Sequence, residues 1–178
     1  MTAAMTPEDI SYLKGPASQP LLSETIGQCF DRIAKQYPDE EALVVRHQNI
    51  RWTYSEYLTE INRLATGLLQ LGVKPGDRVG IWSPNRVEWC LTQFASAKIG
   101  AIMVCINPAY RLYELEYALN KVECNVIIAA ERFKTSEYLT MLNQLAPELG
   151  HCAPGQLKAA KLPHLTTVIR MGEESSPG

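Results

Sequence analysis

The sequence predicts an α/β fold: a doubly wound, mostly parallel sheet with flanking helices, plus a short β-hairpin near residues 42–53. Three observations carry this expectation. Strand patterns beginning near Arg78, Ala101 and Asn125 recur about two dozen residues apart with a helical pattern between them, which is the period of right-handed strand–helix–strand crossovers. The run 101–106 is apolar throughout, as in parallel strands covered on both faces. Loops carrying Pro84 and Pro108 follow the first two strands, where a helix or turn must begin.

In chain order, residues 1–22 read as an arm, because Pro7, Gly15, Pro16 and Pro20 break any periodic pattern. Thr25 and Gln28 stand in capping-box spacing and open a helix to about Gln36, with Ile26, Phe30, Ile33 and Ala34 on one face; Pro38 stops it. Residues 42–46 and 50–53 read as strands around the turn His47, Gln48, Asn49. Thr53 and Glu56 form a second capping box, before a helix whose stripe is Tyr57, Ile61, Leu64, Ala65, Leu68 and Leu69. Gly72 ends it in the left-handed conformation, and Lys74 to Asp77 make a turn.

The first sheet strand follows at 78–82. Asn85 is the expected cap of a helix carrying Val87, Leu91, Phe94, Ala95 and Ile99, which Gly100 ends. A helix at 111–122, a strand at 125–129, a helix at 135–149, a loop over 150–164 and a strand at 166–170 complete the pattern. The domain organisation expected is an arm at 1–22, one incomplete α/β subdomain at 23–170, and a polar tail at 171–178.

Composition excludes several classes. The chain has 178 residues, 46% hydrophobic and 20% charged, with 17 Lys and Arg against 19 Asp and Glu for a net charge of −2. A nucleic-acid binder needs clustered excess cations, so no nucleic acid is expected as partner. No apolar stretch approaches the roughly 18–20 residues of a membrane span, so no transmembrane segment is expected. The first residues lack a basic start with an apolar run, and no Arg precedes Arg32. Neither a secretory nor a mitochondrial leader is therefore expected. Cys29, Cys90, Cys105, Cys124 and Cys152 are widely spaced and read as buried, reduced thiols. Together these place the chain in the cytoplasm.

Chemistry is sparse. The sequence has no G-x-x-x-x-G-K-[ST] loop, no G-x-G-x-x-G after a strand and no G-x-S-x-G elbow. His47, His151 and His164 lack metal-ligand spacing, so no metal site is assigned. Trp52, Trp82 and Trp89 read as packing residues. Ligands of open α/β sheets sit beyond the carboxyl ends of the strands, here at Ser83 to Asn85, Asn107 to Tyr110 and Glu131 to Lys134. Of these groups, Arg132 and Lys134 are the candidates for the phosphates of coenzyme A or a nucleotide; the alternative is a pair of solvated loop charges. Asn107 and Pro108 read as a structural stop at a strand end.

Several motifs carry a resemblance. Trp52 to Leu58, Leu71 to Val79, and Ala97 to Ala101 with Asn107 to Tyr110 and Glu114 to Leu119 follow one another in fixed order and spacing. They resemble the acyl-adenylate-forming (AMP-dependent) synthetases and ligases, with Tyr57 standing where that family has Leu. Thr25 to Cys29 and Asn107 to Tyr110 with Glu114 to Tyr117 are similar to the fatty-acid, medium-chain acyl-CoA ligase branch.

The resemblance implies an acid–thiol ligase using ATP, Mg²⁺ and coenzyme A on a fatty acid substrate. It further implies that these residues are an N-terminal part, inactive alone and partnered by the remainder of the ligase chain. The phosphate loop of the family has no counterpart here, so no catalytic residue is assigned. A free-standing, non-enzymatic α/β module binding a partner or a nucleotide is the alternative.

Overall fold

The computed structural model describes residues 15–176 apart from 17, 19, 173 and 175. Most of the expected arm, and residues 173, 175, 177 and 178 of the expected tail, therefore lie outside the described residues.

Helix α1 (Ile26–Gln36) opens on the Thr25/Gln28 capping box and buries Gly27, Phe30 and Ala34. Strands β1 (Glu41–Val45) and β2 (Ile50–Thr53) pair antiparallel as a hairpin. Its turn is a 3-10 helix closed by Asn49 in the left-handed conformation at φ 53. Helix α2 (Tyr54–Gln70) starts on the second capping box, Thr53 with Glu56. Its end is a Schellman motif: the N–H groups of Gly72 and Val73 donate to the carbonyls of Leu69 and Leu68, with Gly72 at φ +87. The predicted stripe holds except for Leu69, which is 53% exposed because it sits one step around from the buried line Tyr57, Ile61, Ala65, Leu68.

The main sheet is built from β3 (Arg78–Trp82), β4 (Ile102–Cys105), β5 (Val126–Ala129) and β8 (Thr167–Arg170), all parallel, in the order β4-β3-β5-β8. Helix α3 (Val87–Lys98) connects β3 to β4, and α4 (Leu112–Lys121) connects β4 to β5. A two-residue hairpin, β6 (Arg132–Phe133) with β7 (Ser136–Glu137), and α5 (Tyr138–Leu145) precede β8. Because the chain steps from β3 to β4 and then back across to β5, right-handed crossovers put α3 on one face and α4 and α5 on the other. Helices α1 and α2 pack with α3. The sheet is doubly wound, as the sequence predicts.

Three expectations are corrected. The run 101–106 is not covered on both faces. As the outer strand, β4 leaves Ile102 at 53% exposure and Cys105 exposed, while β5 is buried along its whole length. An apolar run thus marked a sheet strand without telling its place in the order. The helix expected over 135–149 is shorter, since the β6–β7 hairpin takes its start and a 3-10 turn at Pro147–His151 its end. Of the cysteines, only Cys124 is buried; all five thiols are free. No helix among the described residues is long and apolar enough to cross a membrane.

Candidate functional site

In a doubly wound sheet the ligand crevice lies where the winding reverses, beyond the carboxyl ends of the strands on either side. Here that point falls between β3 and β5. Trp82 is the last residue of β3, at the carboxyl end of the sheet. Its indole is fully buried and stacks on Tyr138 with centroids 3.6 Å apart and an interplanar angle of 11°. Each ring's polar atom has a partner: the Trp82 Nε1–H donates to the Asn107 carbonyl at 3.1 Å, and the Tyr138 hydroxyl donates to the Pro108 carbonyl at 2.5 Å. Burial pushes the Tyr138 hydroxyl up to about 12, so it stays a donor. The pair ties the loop after β4 to the start of α5.

The remaining strand-end groups are also internally satisfied. The Ser83 hydroxyl donates to the Pro84 carbonyl at 2.6 Å, and the Trp89 indole donates to the Ser83 carbonyl at 3.0 Å. Asn107 Oδ1 accepts from the Ala109 N–H at 2.9 Å, an Asx-type stop. The Arg111 guanidinium donates to the Ser136 hydroxyl at 2.7 Å.

Asn85 does not cap α3. The N-cap is Arg86, whose side chain makes no capping bond, and the Val87 N–H instead donates to Gln48 Oε1 at 2.7 Å. Gln48 Nε2 in turn donates to Glu88 at 3.1 Å, and Arg86 pairs with Glu88 at 2.9 Å. Burial alone would raise the Glu88 carboxyl, but hydrogen bonds from Arg86 and Gln48 outweigh it and hold Glu88 below its ordinary range. The hairpin turn thus supplies the cap from about forty residues upstream in sequence. No local spacing signals that.

Arg132 and Lys134 both lie in the β6–β7 hairpin beyond β5. Arg132 pairs with Glu137 at 3.0 Å across the hairpin. Lys134 occupies the turn at φ 52, its Nζ 5.3 Å from the Phe133 ring centroid. A neighbouring cleft of about 370 Å³ is lined by Arg111, Tyr113, Thr135, Glu137 and Gln144 among others, and by neither candidate cation. The structure brings the two cations to the carboxyl end of the sheet but not into one cavity. Among the described residues no group of three His, Cys, Asp or Glu side chains is placed to hold a metal ion.

ATP, Mg²⁺ and coenzyme A can be tested against this arrangement. A nucleotide phosphate needs convergent unpaired donors, and Mg²⁺ needs carboxylates with free oxygens. The Trp82, Ser83, Trp89 and Tyr138 donors are spent on backbone carbonyls and Arg111 on the Ser136 hydroxyl, while Glu88 and Glu137 pair with Arg86 and Arg132. Among the described residues these groups do not assemble a site for ATP or Mg²⁺.

The pattern of the AMP-binding enzyme family matches residues 30–175. The chain is 46% identical over 168 residues to the mitochondrial medium-chain acyl-CoA ligase ACSF2 of Danio rerio, a match covering 94% of this chain and 28% of that protein. The Homo sapiens ACSF2 is 44% identical over 160 residues, covering 90% of this chain and 26% of its own length. Among solved structures, the N-terminal domain of FACL13 from Mycobacterium tuberculosis superposes with a TM-score of 0.69 at 26% identity, over 83% of this chain and 34% of that one. The chain spans about a quarter of the length of the curated relatives it matches. With a match of this extent, and with the sheet of its structural relatives, the chain belongs to the AMP-binding enzyme family.

Proposed function

We propose that these residues serve as the first α/β scaffold of an ATP-dependent fatty acyl-CoA ligase. In that reaction a carboxylate and ATP give an acyl-adenylate and pyrophosphate, and the thiol of coenzyme A then displaces AMP. The observation that carries the reading is the 46% identity over 168 residues to an acyl-CoA ligase. The relatives' name supports a medium-chain fatty acid as substrate.

The scaffold's part is to fix strand ends and helices. ATP, Mg²⁺ and coenzyme A are then held by the remainder of a full-length ligase, the proposed partner of this chain. The outer strand β4 supports such a partner. It carries no charge or proline that would guard an edge, and beside it Tyr113 and Tyr117 of α4 are 81% and 61% exposed. In the same reading, Arg132 and Lys134 lend positive charge to the phosphates of coenzyme A. The composition supports a cytoplasmic location, whereas the relatives are named mitochondrial; fractionation of cells expressing a tagged chain distinguishes the two.

The test is octanoate-dependent ATP–pyrophosphate exchange. It is run on this chain and on a chimera in which residues up to Arg170 replace the matching part of the Danio rerio ligase. The chimera exchanges and the chain alone does not. Exchange by the 178-residue chain unaided, or a well-folded chimera without exchange, sinks the proposal.

A further inference from the structure

The scaffold reading makes no use of a cleft of about 320 Å³ bounded by α2, α3 and the carboxyl ends of β5 and β8. Its walls include the apolar side chains of Leu64, Leu91, Ile128, Ile169 and Met171. Arg170, the last residue of β8, lines the same cleft. Its side chain is only 13% exposed, and its Nε is buried with no hydrogen-bond partner among the described residues. A buried guanidinium N–H without an acceptor carries a desolvation cost that a bound acceptor would relieve.

The Nε–H and Nη2–H edge of an arginine matches the two oxygens of a carboxylate. Arg86 shows that geometry on Glu88, with Nε at 3.1 Å and Nη2 at 2.9 Å. On Arg170 the same edge is half used. Its Nη2 donates to Glu174 at 2.7 Å and lies 3.8 Å from Glu131, and those carboxylates are 80% and 60% exposed. Exposed ion pairs of this kind hold weakly. The other charged side chains lining the cleft are already paired, Glu60 with Arg63 at 2.5 Å and Glu88 with Arg86. An entering anion therefore meets no unneutralised carboxylate on the walls, and Arg170 is the cation that receives it.

We propose that this cleft binds a small monocarboxylate with an apolar body. The carboxylate takes the Nε and Nη2 edge of Arg170 in place of Glu174, and the body lies against Leu64, Leu91, Ile169 and Met171. The volume stands at the lower end of small-molecule pockets, which suits a short body over a long chain. No bond is made or broken in this site. It rests on no part of the ligase reading, and pyrophosphate exchange has no place in its test.

The experiment is a titration of the 178-residue chain with hexanoate, followed by methyl NMR. Saturable shifts are expected at Leu64, Leu91, Ile128, Ile169 and Met171, and none at Ile26 or Ile33 of α1. Arg170→Lys keeps the charge and removes the two-pronged edge, and weakens binding about tenfold. Glu174→Gln removes the competing carboxylate at an exposed position and tightens binding about two- to threefold. 1-Hexanol, which has the body and no carboxylate, binds at least about tenfold more weakly. The methyl spectrum of each unliganded variant reports its fold; if Arg170→Lys does not fold, Glu174→Gln and 1-hexanol decide. Hexanoate shifts that miss these five residues overturn the proposal, as does 1-hexanol binding as tightly as hexanoate. Affinity left unchanged or lowered by Glu174→Gln overturns it as well.

Discussion

Two glycines sit inside α-helices among the described residues, and the structure assigns them opposite responses to alanine. In a helix interior Ala is favoured over Gly by about 1 kcal/mol. A Cβ added at Gly67 of α2 meets nothing within 4 Å. Gly67→Ala therefore collects the propensity gain undiluted, about 1 kcal/mol, or about 2–4 °C in Tm for a chain of this size. A Cβ at Gly27 of α1 lies 2.9 Å from Lys98 Cγ and 3.2 Å from Lys98 Cα. Rotating the Lys98 side chain relieves the first contact but pulls its Nζ from Asp31, with which it pairs at 2.5 Å. The second contact is to backbone, and only a shift of α1 against the end of α3 relieves it. Overpacking of this kind costs about 1–3 kcal/mol. Because Gly27 is in the first turn, the offsetting propensity gain is only about 0.5 kcal/mol. The net expectation is a loss of about 1–2 kcal/mol.

The assay is urea unfolding followed by far-UV circular dichroism and tryptophan fluorescence. The two variants are predicted to move the midpoint in opposite directions at unchanged m, separated by about 2–3 kcal/mol. In a Lys98→Ala background, which removes Cγ and leaves Cα, the cost of Gly27→Ala falls to about half. Stabilisation by Gly27→Ala comparable to that of Gly67→Ala would mean that α1 and α3 do not approach as described, and the reasoning fails.

Other outcomes follow from the same geometry. Gly80, in the central strand β3, has Cys124 Sγ and Ile106 Cδ1 each 3.0 Å from where a Cβ would stand. Gly80→Ala is expected to cost about 1–3 kcal/mol, with a coupling of at least about 0.5 kcal/mol to Ile106→Val in a double-mutant cycle of urea midpoints. Burial pushes the Cys124 thiol up to about 11 from an ordinary 9.0. The unfolded chain therefore ionises first, and the stability present below pH 9.0 is lost as pH rises toward 11. This amounts to about 1.4 kcal/mol by pH ~10; Cys124→Ala removes that slope, and an unchanged slope refutes it. In the ligase chimera, Arg132→Ala with Lys134→Ala should raise the KM for coenzyme A about two- to fivefold, the range of exposed ionic contacts. An unchanged KM assigns both residues to the hairpin alone.

Local signals in the sequence were legible where one segment settles its own conformation. The two capping boxes, the Gly72 terminator and the turn at Lys74 to Asp77 each satisfy their backbone groups within a few residues, and each stands where the spacing puts it. Reading failed where a distant group decides. The cap of α3 comes from Gln48, so Asn85 offered the right chemistry at a position that did not need it. The exposure of β4 follows from strand order, which no single strand encodes. Arg132 and Lys134 lie at the carboxyl end of the sheet because βα-loops lie there by topology. The partner of Arg132, Glu137, is set by a two-residue hairpin too short to have a pattern.

An open α/β sheet that binds its own ligand leaves the crevice between its first and third strands lined with small residues and free N–H groups. Here the carboxyl end of β3 carries the fully buried rings of Trp82 and Tyr138, their polar atoms turned onto the Asn107 and Pro108 carbonyls. Tyr138→Phe keeps the stack and removes one hydroxyl bond, at a cost of about 1 kcal/mol. Trp82→Ala leaves a cavity at this end of the sheet, at a cost of about 3–5 kcal/mol. A packed hinge of this kind fixes the loop after β4 against the start of α5, which suits a scaffold that presents surfaces to neighbouring parts of a ligase. If Trp82→Ala instead left stability unchanged and created nucleotide affinity in the chain alone, the crevice would be a ligand site and the scaffold reading would fall.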